Sequence, residues 1–147
     1  MRGFTLIELL LTVAIIGVAA GVVTLSVSST ETRKLAQEGD RLAALFRMAQ
    51  AEARAGGRAL VWEADLAGYR FRPLVPGELP EDLARERRWS VPVQRVAGGR
   101  IFFAREPLRE PATLEIDTAE HHLRLALDAL GNLRPASCED PKCVASR

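Results

Sequence analysis

Lysine, histidine and cysteine are all scarce in this chain. Of its 147 residues, two are histidine and two are cysteine, and the only lysines are Lys34 and Lys142. His121 and His122 are adjacent, so on a strand they point to opposite faces and cannot easily share a metal ion. No nearby Cys/His spacing completes a zinc site, and both histidines read as surface residues of a turn. Ser90, Ser137 and Ser146 sit in no nucleophile elbow, and there is no glycine-rich phosphate loop. The paired carboxylates Glu81-Asp82 and Glu139-Asp140 lie in loop-like segments, where solvation accounts for them. These absences predict a protein that is not an enzyme, with no catalytic residues, no metal and no cofactor. Repeats and low-complexity segments are missing too. With lysine so rare, arginine supplies nearly all the positive charge, and the net charge is only +1. A balance so near neutral gives no general pull towards nucleic acid or acidic lipid. No proline occurs before Pro73, so no residue of that kind kinks the N-terminal part.

What the chain does have is an apolar run, Leu9 to Val27, without a single charge. That is about the length at which a helix spans a bilayer. One carboxylate, Glu8, stands at its start. An ionised acid inside hydrocarbon costs roughly 2.5–3.5 kcal/mol on insertion scales, so such a group is kept where a partner relieves it. The segment differs from an ordinary secretory signal, which has a basic leader, a shorter core and a small-residue cleavage site after that core. Here only Met1-Arg2-Gly3 precedes the core, and Ala19-Ala20-Gly21 lies inside it. Arg2 before the span keeps the short leader cytoplasmic, and the remainder then faces the periplasm or the cell exterior.

Gly3-Phe4-Thr5-Leu6-Ile7-Glu8 resembles the prepilin leader of type IV pilins and type II secretion pseudopilins. The resemblance implies cleavage between Gly3 and Phe4 by a membrane prepilin peptidase, then N-methylation of the new Phe4 amine. Residues 1–3 are then the leader peptide, and Glu8 is the fifth residue of the mature chain, in the subunit-assembly position. Cleavage creates a cationic amine one helical turn from Glu8. In a helical filament the amine of an incoming subunit pairs with Glu8 of its neighbour, and a charge pair in low dielectric rewards correct axial register. The family often places a kinking proline in the second half of the membrane helix; this chain has Leu25 there, which argues for a straighter helix.

The transmembrane helix is expected over 4–27, and an amphipathic helix continues from it over 28–57. Leu35, Leu42, Leu45, Phe46, Ala49 and Ala53 recur at three-, four- and seven-residue spacings, one apolar face of a helix. Gly56-Gly57 ends it. A single rod from Thr5 to Ala55 would measure about 75 Å. Its charged face, Glu31, Arg33, Lys34, Glu38, Asp40, Arg41, Arg47, Glu52 and Arg54, reads as solvated. Residues 58–147 read as a β-rich globular head. Ala59–Ala64 and Tyr69–Arg72 form a hairpin around Asp65–Gly68, with Tyr69 and Phe71 on a buried face. Pro73–Pro80 is a loop. Trp89–Val96 and Arg100–Ala104 are expected as a second hairpin about Gly98-Gly99. Ala112–Thr118 and Leu123–Asp128 are expected as a third, with a further turn at Gly131-Asn132. The fold class is α+β: a pilin-like long N-terminal helix packed on an antiparallel β-sheet head.

This order of elements, the Gly-Tyr-Arg-Phe strand and the late Leu-Asp-Ala-Leu-Gly-Asn turn are similar to the GspH/FimT family of H-type minor pseudopilins and fimbrial T proteins. The function this implies is that of a minor subunit of a type II secretion pseudopilus, single-pass in the inner membrane with its head in the periplasm. Its partners are then prepilin peptidase, sister pilins or pseudopilins, and membrane lipid before assembly. Rival readings are a minor pilin of a type IV pilus, including one that takes up DNA, and a membrane-anchored binding module that never polymerises. In an exported domain, Cys138 and Cys143 favour a disulfide over free thiols, a small ring worth about 2–3 kcal/mol. The arginines between Arg85 and Arg109, interleaved with Trp89, Phe102 and Phe103, either grip phosphates and stack bases or stand outside a sheet whose aromatics lie within. Gly131-Asn-Leu-Arg134 loosely resembles the Gly-Arg-x-Arg tail of DNA-binding fimbrial T proteins, with Asn132 in the first arginine position. Arg134 is the DNA contact this would imply; DNA is not the favoured partner.

Overall fold

Helix α1 (Leu6–Gly56) runs unbroken for 51 residues. The structure, a computed structural model, describes residues 6–106, 111–136 and 143–144, with side chains for all of these but 19–29. Good helix formers and the lack of proline sustain α1. It stops where Gly57 takes φ +62°, a left-handed backbone that glycine adopts without a Cβ penalty. The stripe read from the sequence is the buried one: Leu35, Leu42, Phe46, Ala49 and Ala53 are wholly inaccessible and Leu45 nearly so. Glu38 departs from its expected place on the solvated face. It is buried, and the Tyr69 hydroxyl donates to its Oε1 at 2.7 Å.

The head contains two sheets. In the first, the order is β3 (Arg87–Arg88), β2 (Gly68–Pro73), β1 (Leu60–Ala64), β5 (Arg100–Phe103), all antiparallel. In the second, β4 (Arg95–Ala97), β6 (Ala112–Asp117), β7 (His122–Leu127) and β8 (Leu133–Pro135) follow in order, again antiparallel. A two-residue strand, β9 (Cys143–Val144), pairs with β7 in parallel, an exception to the expected antiparallel run. The β1–β2 and β6–β7 hairpins form where the sequence placed them. The second expected hairpin does not. β4 pairs with β6 and β5 pairs with β1, so Gly98-Gly99 carries the chain from one sheet to the other. Gly98 has φ +75°, and a Cβ there would lie 2.4 Å from the Thr113 carbonyl oxygen. After the loop at 73–80, a single turn of helix, α2 (Glu81–Ala84), buries Leu83, in place of the loop expected around Glu81-Asp82.

Phe46 is the hub between α1 and the first sheet. Its ring meets Trp62 at 5.2 Å, Phe103 at 5.1 Å and Phe71 at 6.1 Å, each edge-to-face, an arrangement favoured by the ring quadrupoles. The second sheet adds Leu114, Ile116, Leu123, Leu125, Leu127 and Leu133 to the same core. The outcome is α+β, a long N-terminal helix packed on a β-rich head.

Among the described residues, no helix is long and apolar enough to cross a membrane. Of the span expected over 4–27, residues 4–5 and the side chains of 19–27 lie outside the described ones.

Candidate functional site

The first part of α1 has no head to cover it. Leu6, Ile7, Leu9, Leu10, Leu11, Val13, Ile15, Ile16 and Val18 are all between 59% and 77% exposed. Their positions cover the full circumference of the helix, since successive residues are separated by about 100°. A helix apolar all round needs an apolar surrounding of lipid or other helices. Within this segment Glu8 is exposed and has no ion-pair partner among the described residues. Thr12 closes on the backbone beside it, its Oγ1 donating to the carbonyls of Glu8 and Leu9 at 3.1 and 2.8 Å. Gly3 and Phe4, the expected cleavage and methylation positions, lie outside the described residues, as does Cys138. Cys143 opens β9 opposite His122, and no free thiol occurs among the described residues.

Arginines on strands of both sheets lie against carboxylates, while Arg109 falls outside the described residues. On the first sheet, Glu63 of β1 stands between Arg70 and Arg72 of β2 and Arg100 of β5, at 3.7, 3.7 and 3.5 Å. Arg70 also reaches Glu86 at 3.2 Å. Arg100 lies 5.4 Å over the ring of Phe102, which is half exposed, while Phe103 is fully buried. An open groove of about 520 Å³ runs along the β1–β2 turn, between Glu63, Asp65, Arg70 and Arg87. On the second sheet, Arg95 meets Glu115 at 2.8 Å and Asp117 at 3.1 Å, and Arg124 meets Glu115 at 2.6 Å. Alternation along strands puts these guanidinium groups outside and most aromatics inside. Arg134 sits on β8, exposed, with Asp128 at 4.0 Å. Hydrogen bonds from Asn132, then from the Leu130 amide, hold the Asp128 carboxyl below its ordinary range. Arg134 therefore does not join the Glu63 cluster, which belongs to the other sheet.

A further grouping was not foreseen from the sequence. Glu31 of α1 and Glu120 and His121 of the β6–β7 turn bring one potential ligand atom each within 4.8 Å of the others. His121 is half-buried, its Nε2 lying 3.0 Å from Thr32 Oγ1, and its Nδ1 is buried without a hydrogen-bond partner. The turn itself is fixed: His121 N donates to Thr118 Oγ1 at 3.1 Å, and the His121 carbonyl accepts from the Thr118 amide at 2.8 Å. The histidines are thus not simple turn-surface residues. His122 enters β7 opposite Asp117 and Cys143. Nothing in residue spacing announces the meeting of Glu31 with His121, which only the packing of α1 against β7 creates.

Residues 1–24 match the model of the prokaryotic N-terminal methylation motif. The fold is similar to that of the type IV minor pilin FimU of Pseudomonas aeruginosa, with a TM-score of 0.54 and 14% identity. The likeness covers 74% of this chain and 92% of that one. The comparison with curated proteins finds no match.

Proposed function

From a chain that is type IV pilin-like in its N-terminal motif and its fold, we propose a minor subunit that assembles into a periplasmic fibre, the pseudopilus of a type II secretion system. It is held single-pass in the inner membrane before assembly, with its head in the periplasm, and takes the place of an H-type pseudopilin. Prepilin peptidase cuts between Gly3 and Phe4, and the Phe4 amine is methylated. Cys138 and Cys143 form a disulfide that closes the C-terminal loop and sets β9 beside β7. One observation carries the reading: an exposed helix, apolar on every side and bearing the lone acid Glu8, is fused to a head whose core leaves it uncovered. Such a helix has affinity for lipid and for other helices alike. The acid adds a directional partner requirement, because an unpaired charge in low dielectric is costly and a paired one much less so.

A second reading, a minor subunit of a type IV pilus, is supported by the likeness to FimU. One experiment separates these and the non-polymerising anchor. The full chain and Glu8→Ala are each produced in a host lacking the native copy, and fibres are separated from membranes by shearing. Wild type is expected in a fibre fraction that stays with the envelope, and Glu8→Ala is expected to be cleaved normally but to remain in the membrane. Recovery of wild type in sheared surface fibres favours the pilus. Equal behaviour of wild type and Glu8→Ala makes the chain an inert anchor and ends the assembly reading.

A further inference from the structure

We infer that Glu31, Glu120 and His121 form a binding site for one divalent ion of the zinc type, pinning the β6–β7 turn to α1. Three observations converge. The ligand atoms of these side chains already lie within 4.8 Å of one another. Ligands on a tetrahedral ion at about 2.1 Å are roughly 3.4 Å apart, so closure takes side-chain movements of about an ångström. Secondly, Glu31 and Glu120 have no ion pair with a basic side chain among the described residues. Folding therefore sets two carboxylates side by side with no neutralising cation among the described residues, an arrangement a bound ion relieves. Thirdly, the Thr32 hydroxyl engages Nε2 of His121 at 3.0 Å, while Nδ1 is buried without a partner. With Nε2–H donating to Thr32, the Nδ1 lone pair is the one left for an ion. Metal-bound histidines are commonly held in this way, by a hydrogen bond at the other ring nitrogen.

The donor set chooses the ion. Calcium and magnesium take oxygen ligands, whereas one imidazole with two carboxylates suits zinc, cobalt, nickel or manganese. Three protein ligands leave a fourth position for water, and an ion held by them ties the β6–β7 turn to the rod because Glu31 comes from α1 and the other two from the turn.

The test uses the full chain in detergent micelles, stripped with a chelator and kept oxidised so that thiols do not compete. It is titrated calorimetrically with zinc chloride, and with magnesium chloride as the comparison. One zinc per chain is expected, with a higher melting temperature and no response to magnesium. Affinity should fall at least tenfold in Glu31→Gln, Glu120→Gln and His121→Ala, and about tenfold in Thr32→Val, the level typical of losing an outer hydrogen bond. Glu31→Gln changes only the helix surface, so it reads the site even if His121→Ala disturbs the turn. No zinc binding by wild type, or binding equal in Glu31→Gln and wild type, overturns the inference. The first result would show that the cluster holds no ion; the second would place the zinc elsewhere.

Discussion

Tyr69 and Glu38 make the most consequential single contact in the head. Both are buried, and the hydroxyl donates to the carboxylate across the interface of α1 and β2 at 2.7 Å. Arg41, four ångströms from Glu38 and half exposed, adds a weak counter-charge. Burial, then the neighbouring Glu38 charge and the bond to it, push the tyrosine pKa well above its ordinary value near 10. The phenol is neutral while it keeps its proton, so the stabilisation is whole below about pH 10 and is lost as pH climbs above that towards the folded value. This is the only tyrosine in the chain, so absorbance of the phenolate near 295 nm reports it alone. The ionisation should appear displaced far to the alkaline side and return to about 10 on denaturation. An ordinary midpoint in the native protein would show that the pair does not form. Tyr69→Phe leaves a buried carboxylate without its donor and should cost about 1–3 kcal/mol in denaturant melts.

At the scale of elements, the switch at Gly98-Gly99 decides how two sheets share one core. Gly98 combines a left-handed backbone with a close approach to the Thr113 carbonyl, so an alanine there is opposed twice. Gly98→Ala should lower stability by at least the roughly 1–2 kcal/mol of the backbone term, read from the denaturation midpoint; a neutral result would mean that the crossover is built otherwise. The sequence did not reveal this switch, because Gly-Gly between two short β-prone runs serves a hairpin equally well. Local periodicity carries only so far. It marked the buried stripe of α1 from Leu35 to Ala53 and the two true hairpins, since period 3.6 and period 2 are written in neighbouring residues. The resemblance drawn from Gly3 to Glu8 is borne out by the motif match and the fold. What stayed hidden depends on distant pairing: Glu38 turned inward by Tyr69, β9 laid parallel to β7, and His121 brought to Glu31. Glu38 lies within the stripe, between Leu35 and Leu42, and its burial makes sense only once Tyr69 of the partner strand is known.

The whole molecule divides into a closed head and an open rod. Among the described residues every member of the buried core comes from Leu35 onward, while the side chains from Leu6 to Val18 are exposed and, apart from Glu8 and Thr12, apolar. Stability of the head therefore does not depend on the first part of α1, but solubility of the chain does. Removing residues 1–29 keeps Glu31, Thr32 and the whole buried stripe, and it takes away the exposed apolar side chains from Leu6 to Val18. Such surfaces drive association with membranes or other proteins. The shortened chain is expected to be a soluble monomer without detergent. Its unfolding free energy should match that of the full chain in micelles within about 0.5 kcal/mol, the scale of changes that touch no core contact. The full chain should partition into detergent or vesicles and sediment when these are removed. If the shortened chain is unfolded or aggregates while its Tyr69 titrates at an ordinary pH, the head borrows stability from the N-terminal helix. Under the proposed function, a rod that leaves lipid to join a fibre would then loosen its own head on the way.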